Sequence, residues 1–339
     1  MIVFFPTYAR RTPSGWQASV AGMVTRPLPE RSRRRALAVA VLKRLLDLSD
    51  ADLDTEVFRR RADSFLFQRV AGRRLRVAVG DRVVEVGPSD KSGHFQFEFP
   101  LDDSFASAHA LPAAGGCRWL AYTLVPDAEP DEAAPETVSA GRIQLLEEAG
   151  TSVISDIDDT VKVSNVADRR ELLKNTLLRE FVAVPGMPEV FSRWEQSGAA
   201  FHYVSASPWQ LSNCLCGFLG AAGLPAGSMH LKLFRLKDST PLGRLTARKR
   251  SKRRAIEQIM SDFPGRRFTL VGDSGERDPE VYAAVARRRP EQVAGVFIRR
   301  VPDRAAASHV SLRFDKLARR LPAGALQTFV DAVDLPAFS

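Results

Sequence analysis

From Ser152 onward the chain alternates short apolar, strand-like segments with helical ones, and that alternation leaves few folds open. Candidate strands Ser152–Ser155, Ala199–Val204, His230–Phe234, Arg267–Val271 and Val293–Ile298 are separated by helical patterns such as Pro188–Gln196 and Lys252–Phe263. Parallel neighbours need long crossovers, so the pattern reads as an α/β domain: a Rossmann-like core with a parallel five-stranded sheet and helices on both faces.

The first part of the chain has a different texture. Gln17–Val24 alternates, Leu75–Val79 and Val83–Val86 flank a tight Gly80-Asp81 turn, and Phe95, Phe97 and Phe99 recur at every second position. With Trp119–Val125 and Val138–Leu146 added, this half reads as a smaller, mainly-β, sandwich-like domain, or a small barrel. A basic insertion near residues 30–72 carries Leu37, Val41, Leu45 and Leu48 at helical spacing, which predicts a helix. Asp127–Pro135 reads as an exposed loop. The domain boundary is expected at Ala149-Gly150, giving residues 1–149 and 150–339.

Composition agrees with two folded domains: 339 residues against roughly 150 per domain, 45% hydrophobic and 26% charged. No run of about 18 apolar residues occurs, and Ile2–Phe5 lacks the flanks of a secretory signal, so a cytoplasmic chain is expected. Three cysteines, Cys117, Cys214 and Cys216, read as free thiols. Forty-nine basic against forty acidic residues give a formal charge of +9, concentrated at Arg31–Arg35, Arg59–Arg61 and Arg248–Arg254. Anionic partners follow, without a choice among phosphorylated metabolites, acidic lipid surfaces and nucleic acid.

Four polar signatures fall at strand ends or a helix start. Asp156 and Asp158 lie two residues apart just after a buried strand, where open α/β sheets bind ligands. Two such carboxylates need a cation or a proton between them, and hard oxygen donors suit Mg²⁺; a plain Asp-rich turn is the blander reading. Ser205, followed by Ala206 and Ser207, ends a strand and offers a hydroxyl and amides to a phosphoryl oxygen, or merely a turn. Six basic residues in the seven of Arg248–Arg254 precede Ile256, Ile259, Met260 and Phe263, which places Lys252 in the first turn of an amphipathic helix. Most of that run reads as a solvated face. Gly272-Asp273, with Asp278 after it, ends a fourth strand in acids that can complete a metal site.

This order, D-x-D-x-T, then Ser, then Lys, then G-D-x-x-x-x-D, resembles the haloacid dehalogenase superfamily and its phosphatase branch. More narrowly, Asp156-Ile157-Asp158-Asp159-Thr160-Val161-Lys162 with Ser164-Asn165, Val204-Ser205-Ala206-Ser207-Pro208-Trp209, and Gly272 through Tyr282 are similar to the family of the yeast actin-patch phosphatidate phosphatase and its bacterial relatives. The lipins are similar at greater distance. The resemblance covers about Ser152 to Arg300.

The resemblance implies a Mg²⁺-dependent phosphomonoester hydrolase working through an aspartyl-phosphate, with phosphatidate as substrate. By it, Asp156 is the nucleophile and Asp158 the general acid and base. Ser205 with Ala206 holds the phosphate, as does the cation of Lys252, with Lys249 as a substitute three residues earlier. Thr160 orders the loop through its hydroxyl and is counted with Ser205, Ala206 and Lys252 among the substrate-binding residues, and Asp159 has no role beyond the turn. Mg²⁺ falls to Asp156, Asp273, supporting Asp278 and the backbone carbonyl of Asp158.

Three other readings stand beside it: a phosphatidate-binding module without catalysis, a phosphatase on soluble phosphomonoesters, and one on nucleic-acid ends. A binding module of this fold lacks the first carboxylate, which is present here. A nucleic-acid enzyme calls for a basic-aromatic stacking platform, which is not identifiable, so nucleic acid is the least supported partner. A receiver domain would not place a Gly-Asp loop after its hydroxyl and lysine. The basic runs also suit peripheral contact with an anionic membrane.

Overall fold

The computed structural model describes residues 1–29, 31–46, 48–126, 140–232, 241–301 and 307–338; the loop expected at Asp127–Pro135 lies outside them. The chain divides into two units, Met1–Glu147 and Glu148–Ser339.

The first unit contains β1 (Ile2–Phe5), β2 (Thr7–Thr12), β3 (Gly15–Pro27), β4 (Phe67–Arg69), β5 (Leu75–Val79), β6 (Arg82–Val86), β7 (His94–Leu101), β8 (Leu111–Pro112), β9 (Arg118–Leu124) and β10 (Ala140–Leu146). Its helices are α1 (Arg33–Leu46), α2 (Asp50–Leu53), α3 (Glu56–Asp63) and α4 (Asp103–His109). The alternation in β3 and β7 is that of a half-buried sheet: Trp16, Ala18 and Val20 turn inward, as do Phe95 and Phe99. All the strands join one hydrogen-bonded network, mostly antiparallel, with β2 and β10 parallel. Phe4, Val20, Val77, Phe99, Leu120 and Ile143, from six different strands, share one core. In the helical insertion Leu48 is buried, whereas Leu37 and Val41 of the predicted stripe are exposed; the Leu45 side chain lies outside the description.

The second unit is a parallel α/β sheet with strands β11 (Gly150–Ser155), β12 (Ala200–Pro208), β13 (Gly227–Lys232), β14 (Arg266–Asp273), β15 (Val293–Arg299) and β16 (Leu326–Phe329). The order is β13-β12-β11-β14-β15-β16, every pair parallel. Six strands replace the five expected, because β16 is four residues long and too polar to stand out in sequence. The helices are α5 (Arg169–Leu177), α6 (Met187–Gln196), α7 (Ser212–Ala221), α8 (Pro241–Asp262), α9 (Asp278–Arg288) and α10 (Ala307–Ala318). α6 buries Met187, Val190, Phe191 and Trp194, one helical face. α8 starts eleven residues before Lys252, so Lys252 sits mid-helix, not in its first turn.

From β11 the chain first builds β12 and β13 on one side, then crosses to build β14 on the other. The crevice at this reversal, beyond the carboxyl ends of the strands, is where such sheets bind ligands. Ser155, the last residue of β11, lies opposite Tyr203 of β12 and Val271 of β14, so three loops leave the sheet side by side. Among the described residues no helix is long and apolar enough to cross a membrane.

Candidate active site

The Asp156 amide still donates to Val271 O at 2.9 Å, and only then does the chain leave the sheet. The Ile157 carbonyl accepts from the amides of Val161 and Lys162, both at 3.0 Å, which folds the segment back tightly. The turn sets Asp159 at φ 53°, and Asn165 follows at φ 57°, two left-handed positions without glycine. The Asp159 carboxylate holds this loop, accepting from the amides of Ser164 and Asn165 at 2.8 Å and of Val166 at 2.6 Å. The sequence reading gives Asp159 no such role. Asp159→Ala is expected to lower stability by about 1–3 kcal/mol, having lost the acceptor while keeping the left-handed backbone. Asp159→Gly, which relieves the backbone alone, should melt between parent and alanine variant; identical melting of all three would refute this account.

Asp156, Asp273 and Asp278 converge, with carboxylate oxygens within 4.8 Å of one another and all three residues buried. One oxygen on each, Oδ2, is buried without a hydrogen-bond partner. Lys252 Nζ bridges two of them, donating to Asp156 Oδ1 at 2.8 Å and to Asp278 Oδ1. Asp273 Oδ1 accepts the amides of Gly275 at 2.6 Å and Glu276 at 3.0 Å. Gly272 is needed for this approach: a Cβ there would lie 2.4 Å from Asp278 Oδ2.

Burial pushes the Asp156 carboxyl up to about 7, the Lys252 cation opposing and the Asp278 and Asp158 carboxylates reinforcing the shift. Asp273 and Asp278 are raised by burial as well. Burial alone would lower Lys252, but Asp156 and Asp278 hold it well above the ordinary lysine range, a permanent cation. Three buried acids with one lysine are short of positive charge, their carboxylates converge, and each keeps an oxygen with no partner among the described residues. That donor set fits a hard divalent cation such as Mg²⁺.

The Asp158 side chain is not one of the three carboxylates of this cluster, and the sequence reading gives the metal its backbone carbonyl instead. Its Oδ1 faces Lys162 Nζ at 2.7 Å and Ser164 Oγ at 2.6 Å, and its Oδ2 accepts from Ser207 Oγ, with Ser205 Oγ at 3.4 Å. Burial alone would raise its pKa; Lys162, with hydrogen bonds from Ser164 and Ser207, brings it down to about 2. Lys162, Ser164 and Ser207 stand inside the motifs quoted above, but the sequence reading gives none of them a catalytic or binding role. Ser205, Ala206, Lys252 and Asp278 line a cleft of about 380 Å³, walled by Val166, Trp209, Leu231 and Val281 and carrying Lys232 and Arg277. Thr160, counted above with the substrate-binding residues, is not among that lining; it is fully buried and its hydroxyl has no partner among the described residues. The Arg248 and Lys249 side chains lie outside the description. A further residue, Arg313 of α10, donates to the carbonyls of Ser274 at 3.0 Å and Glu276 at 2.8 Å, fixing the loop between Asp273 and Asp278.

The fold and site are those of an α/β protein with clustered carboxylates and a lysine at the switch point of a parallel sheet. Within it, residues 151–300 match the family model described as the catalytic domain of phosphatidate phosphatase APP1. An uncharacterized protein of Schizosaccharomyces pombe is 35% identical over 163 residues, covering 47% of this chain and 26% of that protein. Phosphatidate phosphatase APP1 of Saccharomyces cerevisiae is 34% identical over 154 residues, covering 44% and 26% respectively. The chain thus spans about a quarter of the length of the curated relatives it matches. A solved structure from Mesorhizobium loti, described as HAD-like, overlaps 50% of this chain and 88% of its own at 13% identity, with a TM-score of 0.31 too low to weigh. The resemblance carried by the motifs is therefore present over residues 151–300 of the second unit.

Proposed function

We propose that the second unit is a Mg²⁺-dependent phosphomonoester hydrolase with a haloacid dehalogenase-type core, acting on phosphatidate through an aspartyl-phosphate on Asp156. The observation that carries this reading is the convergence of three buried carboxylates, each with an unpartnered oxygen, beside a lysine that pairs with the first of them. Asp156, Asp273 and Asp278 would hold the metal, which supplies positive charge against the approach of an anionic nucleophile to an anionic phosphate.

The chain's own residues do the rest. The Asp156 carboxylate attacks phosphorus; the bond to the bridging oxygen breaks and the alkoxide takes a proton from Asp158. Water then attacks the aspartyl-phosphate, Asp158 accepts its proton, and phosphate leaves with Asp156 restored. As placed against Lys162, Asp158 is the carboxylate, the form suited to the second step; a dianionic phosphate arriving nearby raises its affinity for the proton needed in the first. Lys252 stabilises charge on the phosphoryl oxygens. Ser205 and the amides beside it hold the phosphate, while the apolar wall at Val166, Trp209, Leu231 and Val281 suits the glyceride part of a lipid.

The test is phosphate release from phosphatidate in mixed micelles and from a small aryl phosphate, with Mg²⁺ or with chelator. Mg²⁺-dependent release that favours phosphatidate supports the reading. Equal rates on both substrates would reassign it to soluble phosphomonoesters, and binding of phosphatidate without release to a lipid-recognition module. Mg²⁺ should also raise the melting temperature. Because Asp156 is raised to about 7, protons compete with the metal below that value, so the rise should grow between pH 6 and 8. A rise independent of pH would count against Asp156 as a ligand.

A further inference from the structure

Helix α1 reads RRRALAVAVLKRLL: five cations, no acid, and aliphatic residues between them. Arg33, Leu37, Ala40, Val41 and Arg44 follow one another at three- and four-residue steps or adjoin, so they share a face. All five are exposed, Leu37 at 68% and Val41 at 54% of their full accessible surface. The helix is tied down from its other side, where Arg35 Nη2 meets Asp63 Oδ1 of α3 at 2.8 Å. Among the described residues none forms an ion pair with Arg33, Arg34 or Arg44. Two branched aliphatics in water, bracketed by the arginines of a helix that carries five cations and no acid, make a surface that is both apolar and strongly cationic.

We infer that the α1 face docks on an anionic lipid surface. Such a surface accepts both halves of the pattern: aliphatic side chains enter the boundary between headgroups and acyl chains, and arginines flanking them reach the lipid phosphates. A helix of this length spans about 21 Å and lies flat in that boundary. A polynucleotide would take the arginines but offers nothing to Leu37 and Val41, and an acidic protein would have to supply a hydrophobic groove besides its charge. The inference deepens the proposed function, since a lipid phosphomonoester is presented only in such a surface.

The test uses the full chain and vesicles of phosphatidylcholine, with and without phosphatidylglycerol, whose phosphodiester headgroup is no substrate for a phosphomonoesterase. Co-sedimentation should require phosphatidylglycerol and weaken with salt. The pair Leu37→Asp and Val41→Asp should reduce binding about tenfold or more, and the triple change of Arg33, Arg34 and Arg44 to Gln by a similar factor. Both sets alter exposed positions, so circular dichroism and hydrolysis of an aryl phosphate should match the parent. Undiminished binding by the aspartate pair overturns the inference, as does a loss seen only in the arginine variant, which would leave surface charge without insertion. Preferential α1-dependent binding of single-stranded DNA or of an acidic protein also overturns it. Hydrolysis of aryl phosphate without vesicle binding would sink the inference and leave the hydrolase standing. Vesicle binding through α1 with no hydrolysis of any phosphomonoester would do the reverse.

Discussion

Asp156→Asn should abolish Mg²⁺-dependent phosphate release, a fall on the order of 10⁴-fold or more, while leaving the protein folded. The amide has the shape of the carboxylate but cannot form the acyl phosphate, and its Oδ1 can still accept the Lys252 hydrogen bond seen at 2.8 Å. Stability should hold or rise without metal, because Asp156 is a buried acid pushed up to about 7, lying among the raised carboxyls of Asp273 and Asp278. A carboxyl raised in the folded state costs stability as pH climbs above its unfolded value, so the variant should gain most above neutrality. Mg²⁺ should stabilise the variant less than the parent. Residual release within tenfold of the parent, at equal melting temperature, would remove Asp156 from the nucleophile's role and the aspartyl-phosphate with it.

The parts of this site that could be read from sequence are those at the ends of regular elements. Asp156, Ser205 and Asp273 each follow an apolar run whose strand character is written in its residues, and a parallel sheet brings such ends to one crevice wherever the strands adjoin. Lys252 was placed by the helical period of Ile256, Ile259 and Met260, which fixes its face though not the start of α8. Where the backbone is irregular the sequence is silent. Nothing periodic announces that Val161-Lys162-Val163 turns back so that Lys162 lies against Asp158, or that Asp159 closes the loop through three amides. Arg313 reaches Ser274 and Glu276 across more than thirty residues, a contact no local pattern encodes. In the first unit the strands are legible by their alternation, but that β3 pairs with β1, β2, β4 and β7 at once is not. The exposed stripe of α1 shows the complementary limit: a helical period fixes which residues share a face, not whether that face meets protein or water.

Lys162→Met should cut turnover about 10²-fold with little change in KM, because the lysine serves Asp158 and is not part of the cleft lining. Lys162 is buried and its Nζ meets both Asp158 Oδ1 and Ser164 Oγ, at 2.7 and 2.6 Å. Methionine fills the same space yet leaves Asp158 buried without its cation, and breaking such a pair costs about 3–5 kcal/mol. Here the shift runs the other way from Asp156. Asp158 is held at about 2 in the fold, so its contribution is present above the ordinary aspartate range and is lost as pH falls toward 2. The stability gap between parent and Lys162→Met should therefore be widest near neutrality and close in acid. Lys162→Arg, which keeps the charge, should recover part of both properties. The double variant Asp158→Asn with Lys162→Met should recover stability but no activity, since it removes the unpaired charge and the proton carrier together. Two results would refute this role: a Lys162→Met protein with parental turnover, or a double variant no more stable than the single one. The first would show that Asp158 acts without its cation, the second that Lys162 supports the fold through packing, including its place over the Phe181 ring, instead of through charge.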